Sequence, residues 1–256
     1  MSLDNDPTAP GSNTLAHWED RCDLAAIFRW VARLDMHEGV ANHLSLAVNE
    51  DGTKFLINPE HRHFSRVRAS DLVEVDATNP ENVALPENVE ATAWGLHGAV
   101  HRRCSHARCA LHVHSPFATI LASMDSPNLP AIDQNSAMFH GRVAVDLDYG
   151  GLALGDEAER ACLPLMDPSK AILIMGNHGV MAVGATVAEA FTELYYFERA
   201  AANYIRALWT GKPLSYLSDE VASKTAEQVK SSNKYALHHL RELRLILDEE
   251  GSNYAT

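Results

Sequence analysis

Long apolar runs are missing from this chain of 256 residues. No stretch approaches the roughly eighteen consecutive apolar residues of a membrane-spanning helix, so a membrane partner is not expected. Positive charge is scarce as well. With 21 Lys and Arg against 34 Asp and Glu, the formal charge is -13, which argues against nucleic acid and anionic lipid surfaces, since both select a basic face. Cysteine is sparse, and Cys22, Cys104, Cys109 and Cys162 show no metal-type pairing, so reduced and mostly buried thiols are expected. The first residues carry no charged-then-apolar leader, and the expected location is therefore cytoplasmic. An apolar fraction of 46% is ordinary for a globular protein, and the length suits one buried core with extensions.

Histidine, by contrast, is plentiful: there are 14, and their placement carries the chemistry. In Leu111-His112-Val113-His114-Ser115-Pro116 the two histidines are separated by one residue, so on a strand both point to the same face and can converge on one ion. His178 lies in Gly176-Asn177-His178-Gly179, a short Gly-bounded turn after an apolar run, where backbone freedom can aim a third imidazole at the same place. Three neutral imidazoles suit Zn²⁺ and leave a position open, as in catalytic sites. Fe²⁺, Mn²⁺ or Co²⁺ would also bind such a set.

Along the chain, Met1 to Asn13 is rich in Pro, Gly, Ser, Asn and Asp and is expected to be a mobile tail. From Thr14 an apolar pattern at helical spacing predicts a helix ending near Gly39. Residues 44–48 and 54–58 predict a hairpin, with a further strand at 72–75. Asn88 could cap a helix over 89–103, in which Glu90, His97 and His101 fall along one stripe. A strand at 109–114 follows, then a helix from Pro116 to about Met124 with Ser115 as its cap. Further expectations are a strand at 142–147, helix 156–166, strands at 170–175 and 180–183, and a helix opened by the capping box Thr186-x-x-Glu189 and running to about Trp209. Residues 218–247 predict a second long helix. The domain at 14–212 is thus followed by a helical extension at 213–256, expected to serve in a subunit contact.

The combination of His112-Val113-His114, Asn177-His178-Gly179, Leu96-His97, Asp148-Tyr149-Gly150 and the segment from Val187 to Ala200 resembles the class II aldolase/adducin family, over about Leu24 to Ala207. The resemblance implies an α/β fold, a three-layer α/β/α sandwich with a central, mainly antiparallel sheet. It also implies a homotetramer with sites between subunits, a divalent metal held by His112, His114 and His178, and a small-molecule substrate. In the family's sugar-phosphate aldolases a glutamate one helical turn before the His97 position acts as acid/base, and here that position is Ala93. Glu90, about 4.5 Å further upstream along the helix axis, either replaces that acid or merely stabilises the helix N-terminus through the macrodipole.

A second departure concerns phosphate. The small-residue turns in which the family's aldolases cradle phosphate correspond here to Val40-Ala41-Asn42-His43 and Asn58-Pro59-Glu60-His61, which are bulky and acidic, so a phosphorylated substrate is not expected. Asn42, His43 and Ser45, the last two as in the adducin-like branch, become candidate substrate-binding residues. Gln134 and His140 are further candidates for lining the site, including from a neighbouring subunit. For proton transfer the candidates are Glu90, Tyr149 and His43, although Tyr149 reads first as a packed aromatic after a strand with its hydroxyl on backbone. The expected activity is that of a metal-dependent lyase, an aldolase or decarboxylase. The alternatives are a dehydratase or epimerase, or a non-catalytic adducin-like interaction module.

Overall fold

The computed structural model describes residues 15–78, 87–230 and 233–256; the tail expected at 1–13 lies outside them. Seven strands form one sheet in the order β3-β2-β1-β4-β7-β6-β5. They are β1 (His43–Ala47), β2 (Lys54–Ile57), β3 (Val73–Asp76), β4 (Cys109–Val113), β5 (Val143–Asp146), β6 (Ile172–Met175) and β7 (Gly179–Gly184). Every neighbouring pair is antiparallel except β5 and β6. Helices cover both faces, so the three-layer α/β/α expectation holds.

Alternation along the strands sorts side chains between the layers. Leu44 and Leu46 of β1, Leu111 and Val113 of β4, Ile172 and Ile174 of β6, and Val180 and Ala182 of β7 share one apolar core. That core is closed by α1 (Trp18–Arg33), α3 (Pro116–Ala122), α6 (Val187–Trp209) and α8 (Asn233–Glu249). In α6 the buried residues Val187, Phe191, Leu194, Phe197, Ala201 and Ile205 recur every three to four positions, which gives this 23-residue helix one apolar stripe. Thr186 caps it by accepting from the Glu189 N–H, as its sequence predicts. On the opposite face, α2 (Ala91–Arg103) and α5 (Asp156–Ala161) pack over Ala110, Leu173, Met181 and Val183.

Several boundaries differ from the sequence expectation. Helix α1 stops at Arg33 rather than near Gly39, because Asp35 turns left-handed at φ 55° while Met36 N–H reaches the Val31 carbonyl and Asp35 N–H that of Ala32. That pairing is a Schellman closure. Helix α2 is capped by Glu90, which accepts from the Ala93 N–H, and not by Asn88, which sits at φ 67° two residues earlier. The helix expected at 156–166 is α5 followed by a separate 3₁₀ turn. The stretch at 218–247 is two helices, α7 (Asp219–Lys230) and α8. One face of α8 joins the chain's own core through Ala236, Leu240 and Leu243, and Arg244 is paired with Asp23 of α1 at 2.6 Å. Its outer face keeps Leu237, Leu245 and Ile246 exposed. Among the described residues no helix is long and apolar enough to cross a membrane.

Candidate metal centre

Three elements bring the imidazoles together. His112 lies in β4 and is 1% exposed; its Nδ1 is 3.1 Å from the Val180 carbonyl on β7. Since a carbonyl can only accept, Nδ1 carries the proton and Nε2 is the nitrogen left to coordinate. His114 follows directly on β4. Its backbone N–H donates to Asn42 Oδ1 at 3.2 Å, and its Nδ1 donates to Glu38 Oε2 at 2.5 Å. Its Nε2 is buried without a hydrogen-bond partner among the described residues. An imidazole oriented by a carboxylate on one nitrogen and bare on the other is the usual condition of a metal ligand.

His178 comes from the turn between β6 and β7. Asn177 adopts φ 56° and donates to the Ala122 carbonyl at 3.0 Å, while His178 N–H donates to Met175 at 3.1 Å. The following residue must be glycine: a Cβ on Gly179 would stand 2.6 Å from His114 Cδ2 and 2.8 Å from the Val113 carbonyl. The Asn-His-Gly turn thus exists because β7 starts against the His114 ring. Ring centroids are 5.2 Å apart for His112 and His114, 4.8 Å for His112 and His178, and 4.9 Å for His114 and His178. The nearest nitrogens all lie within 4.8 Å of one another. Burial, reinforced by neighbouring imidazoles, pushes His178 down to about 4 and His112 well below the usual histidine range. Both rings are therefore neutral near pH 7, the form that binds a cation.

A second layer of histidine backs the first. The His43 ring stacks on His112 at 5.3 Å and meets His97 edge-on at 5.4 Å. Its Nε2 is 3.5 Å from Glu90 Oε2. Glu90 is held down to about 2, first by its hydrogen bond with His43 and then, against the opposing effect of burial, by Thr92 and the Ala93 N–H. Tyr149 stands at the rim, 52% exposed, its ring 6.0 Å from His178. Its loop is braced by Arg160, which binds Asp146 at 2.7 Å and Glu157 at 2.5 Å.

Three of the expected substrate-binding residues are placed otherwise. Ser45 is fully buried, donating to His101 Nε2 at 2.7 Å and accepting from His97 Nδ1; on β1 it faces α2 and cannot meet a substrate. Asn42 is 2% exposed and its Oδ1 is taken by the Glu38 and His114 N–H groups, so it braces the loop that carries Glu38. Gln134 is not brought to the imidazoles within this chain. It lines a cavity that includes Val183 and Gly184, at the far end of β7. Glu38, which the sequence reading did not single out, is the residue that orients His114. An acid four residues before Asn42 gives no local signal of that role.

The profile of the Class II Aldolase and Adducin N-terminal domain matches residues 22–205. A Caulobacter vibrioides protein that carries aldolase class 2, and no substrate, in its name is 32% identical over 213 residues, covering 83% of this chain and 81% of its own. Rattus norvegicus alpha-adducin is 29% identical over 204 residues, 77% of this chain but 27% of that protein. Among solved structures, an aldolase II superfamily protein from Pseudomonas syringae superposes with a TM-score of 0.84 at 28% identity, covering 96% of this chain and 98% of its own. An L-fuculose 1-phosphate aldolase from Glaciozyma antarctica PI12 gives 0.75 at 21% identity, covering 95% and 97%.

Proposed function

This chain belongs to the class II aldolase and adducin family, and from that premise we propose that it is a metal-dependent carbon-carbon lyase, an aldolase or decarboxylase, acting on a small hydroxy- or keto-compound without a phosphate group. The observation that carries the reading is the convergence of three imidazoles within 4.8 Å, with His114 Nε2 buried and bare. His112, His114 and His178 would hold the ion, Zn²⁺ by the chemistry of the donor set, with Fe²⁺, Mn²⁺ or Co²⁺ as the other candidates. When bound, the ion supplies Lewis-acid stabilisation of the negative charge that develops on a carbonyl oxygen in either cleavage.

The remaining work falls to the chain's own side chains. Glu38 and the Val180 carbonyl fix the tautomers of His114 and His112, so neither ring need reorient. The position used for acid/base work in the family's aldolases is Ala93, 2% exposed among apolar neighbours. His43 is the proton carrier closest to the cluster. Glu90, held down to about 2, is too weak a base to take a proton itself near pH 7 and acts as a positioning residue through His43. Tyr149 offers a phenol on the other side of His178. Absence of phosphate in the substrate rests on the loops around Asn42 and Asn58. Asn58 Oδ1 is occupied by the Leu44 N–H at 3.2 Å, and the carboxylates of Glu38 and Glu90 lie against His114 and His43, where they would repel a phosphate. A homotetramer and a cytoplasmic location belong to the same proposal, the latter supported by four free, buried cysteines.

Protein purified without chelator should carry close to one divalent metal per chain by elemental analysis, and His114→Ala should lose it. Full metal content in that variant would remove the centre. Incubating metal-loaded protein with hydroxy-acids, keto-acids and free aldoses, while following CO₂ and aldehyde, tests the lyase reading. Glu90→Gln, which removes the charge that positions His43, should lower kcat with metal retained, by less than the loss of a group that itself transfers the proton; unchanged turnover would take Glu90 out of the mechanism. A non-catalytic, adducin-like role is favoured by one observation, the apolar Ala93, and a metal-replete protein inert to the whole panel would select it.

A further inference from the structure

We propose that the cavity at the opposite end of the sheet is a second small-molecule site, built for a neutral polyhydroxylated ligand such as a free sugar or polyol. The proposal does not depend on the metal centre. Strands β4 and β7 pair from Val113 with Val180 to Cys109 with Gly184, a span of about 14 Å at strand rise. The imidazoles gather at the first end and this cavity opens beside the second. Its volume is about 860 Å³, within the range of roughly 300–1,000 Å³ typical of small-molecule pockets.

Its polar groups are unusually idle. Arg142 Nε, Thr192 Oγ1, Glu193 Oε2 and His106 Nε2 all belong to lining residues, and each is buried without a hydrogen-bond partner among the described residues. Thr192 is only 9% exposed, and the Arg142 and Glu193 side chains 13% and 17%. Buried polar groups are normally satisfied, so four vacant ones among the residues around one cavity point to a ligand that completes them once those side chains turn toward it.

The chemistry of the wall selects the ligand. Arg142 Nη2 already donates to Glu193 Oε1 at 2.5 Å, and Nη1 to the Met138 carbonyl at 3.1 Å. Their charges cancel, leaving one N–H donor beside one carboxylate acceptor. An anion would face Glu193 and Glu189; a cation would face Arg142 and Lys170. Lys170 is itself engaged with the Gly141 carbonyl at 2.8 Å. Burial pushes the His106 imidazole down and its other nitrogen bonds the Lys170 backbone, so Nε2 is a neutral acceptor. Hydroxyl groups donate and accept at once. Adjacent hydroxyls therefore match an N–H, a carboxylate oxygen, a threonine and an imidazole acceptor in a way that no singly charged group does. Tyr196 and Tyr235, hydroxyl to hydroxyl at 2.5 Å, add an aromatic wall for the apolar face of a sugar ring.

Titration calorimetry on the intact protein with D-glucose, L-arabinose and xylitol tests this, with inorganic phosphate and glycine as charged probes. Saturable binding of at least one of the three is expected, weakened about fivefold to tenfold by Thr192→Val and by Glu193→Gln, and unchanged in His178→Ala. Thr192→Val is isosteric and keeps the test open should Glu193→Gln fail to fold. No saturable binding, binding indifferent to both cavity variants, loss in His178→Ala alone, or binding only of phosphate or glycine would each overturn the proposal.

Discussion

Along β1, Leu44 and Leu46 enter the apolar core beneath α1 and α6, whereas His43 and Ser45, one residue out of phase, enter the layer beneath α2. The same division runs through β4, where Leu111 and Val113 face one way and His112 the other. The first face is held by area removed from water, each large side chain contributing roughly 1.5–3 kcal/mol. The second buries His97, His101, His112 and Ser45, groups whose desolvation is offset only by the hydrogen bonds and the ligand they find. One strand therefore serves stability and chemistry at once, and a substitution should disturb one or the other according to its parity.

The largest expected effect is on the apolar face. Leu111→Ala should cost about 2–5 kcal/mol in denaturant unfolding, while the fraction that remains folded keeps its full complement of metal. Equal loss of stability and metal affinity would show that the two faces are not separable. Acid should attack the other face. His101 is pushed down to about 4 by burial, against the opposing effect of its bond to the Ala107 carbonyl, while the unfolded chain titrates near 6.5. Between about pH 6.5 and 4 the unfolded state binds a proton that the folded state refuses, so stability falls as pH falls through that window and levels off below it. The loss from His101 alone reaches at most about 3 kcal/mol. Unfolding midpoints of metal-free protein across that range should show the slope, to which His112 and His178 also contribute, and His101→Gln should make it shallower by the share of one group.

Much of this division is legible before any coordinates. Alternation through Leu111-His112-Val113 and the glycines around His178 encode local geometry, and local geometry is what a sequence shows directly. What escapes it is tertiary. Glu38 meets His114 across a separation of 76 residues, and nothing in Glu38-Gly39 signals the encounter. Ser45 resembles a pocket residue because it neighbours His43 in the chain, yet parity sends it to His97 and His101 inside the sandwich. Gln134 lies at the start of a one-turn helix, α4 (Gln134–Ala137), whose position beside β7 depends on loop paths that no periodicity encodes. The start of α2 departs from the expected one for a different reason: asparagine is the commoner cap, but Asn88 is spent on a left-handed turn and the longer Glu90 side chain folds back instead.

The smallest effect tests whether orientation, and not charge alone, distinguishes the imidazole face. Glu38 donates no ligand to the cluster. It accepts the His114 Nδ1 proton at 2.5 Å and is itself 67% exposed, so its removal should leave the fold almost unchanged. Glu38→Gln keeps an acceptor oxygen and the loop geometry set by Asn42 but removes the negative charge that raises the basicity of the ring. Loss of such an outer partner weakens metal binding by about 10- to 100-fold, and the retained acceptor puts this variant near tenfold, or about 1.4 kcal/mol. Glu38→Ala, which leaves the imidazole free to rotate, should fall toward the upper end. Competitive titration against a chromogenic chelator separates the two. Equal affinities for both variants would mean that β4 and the Asn42 contact alone aim His114, and that the carboxylate is a surface group beside a ring already fixed.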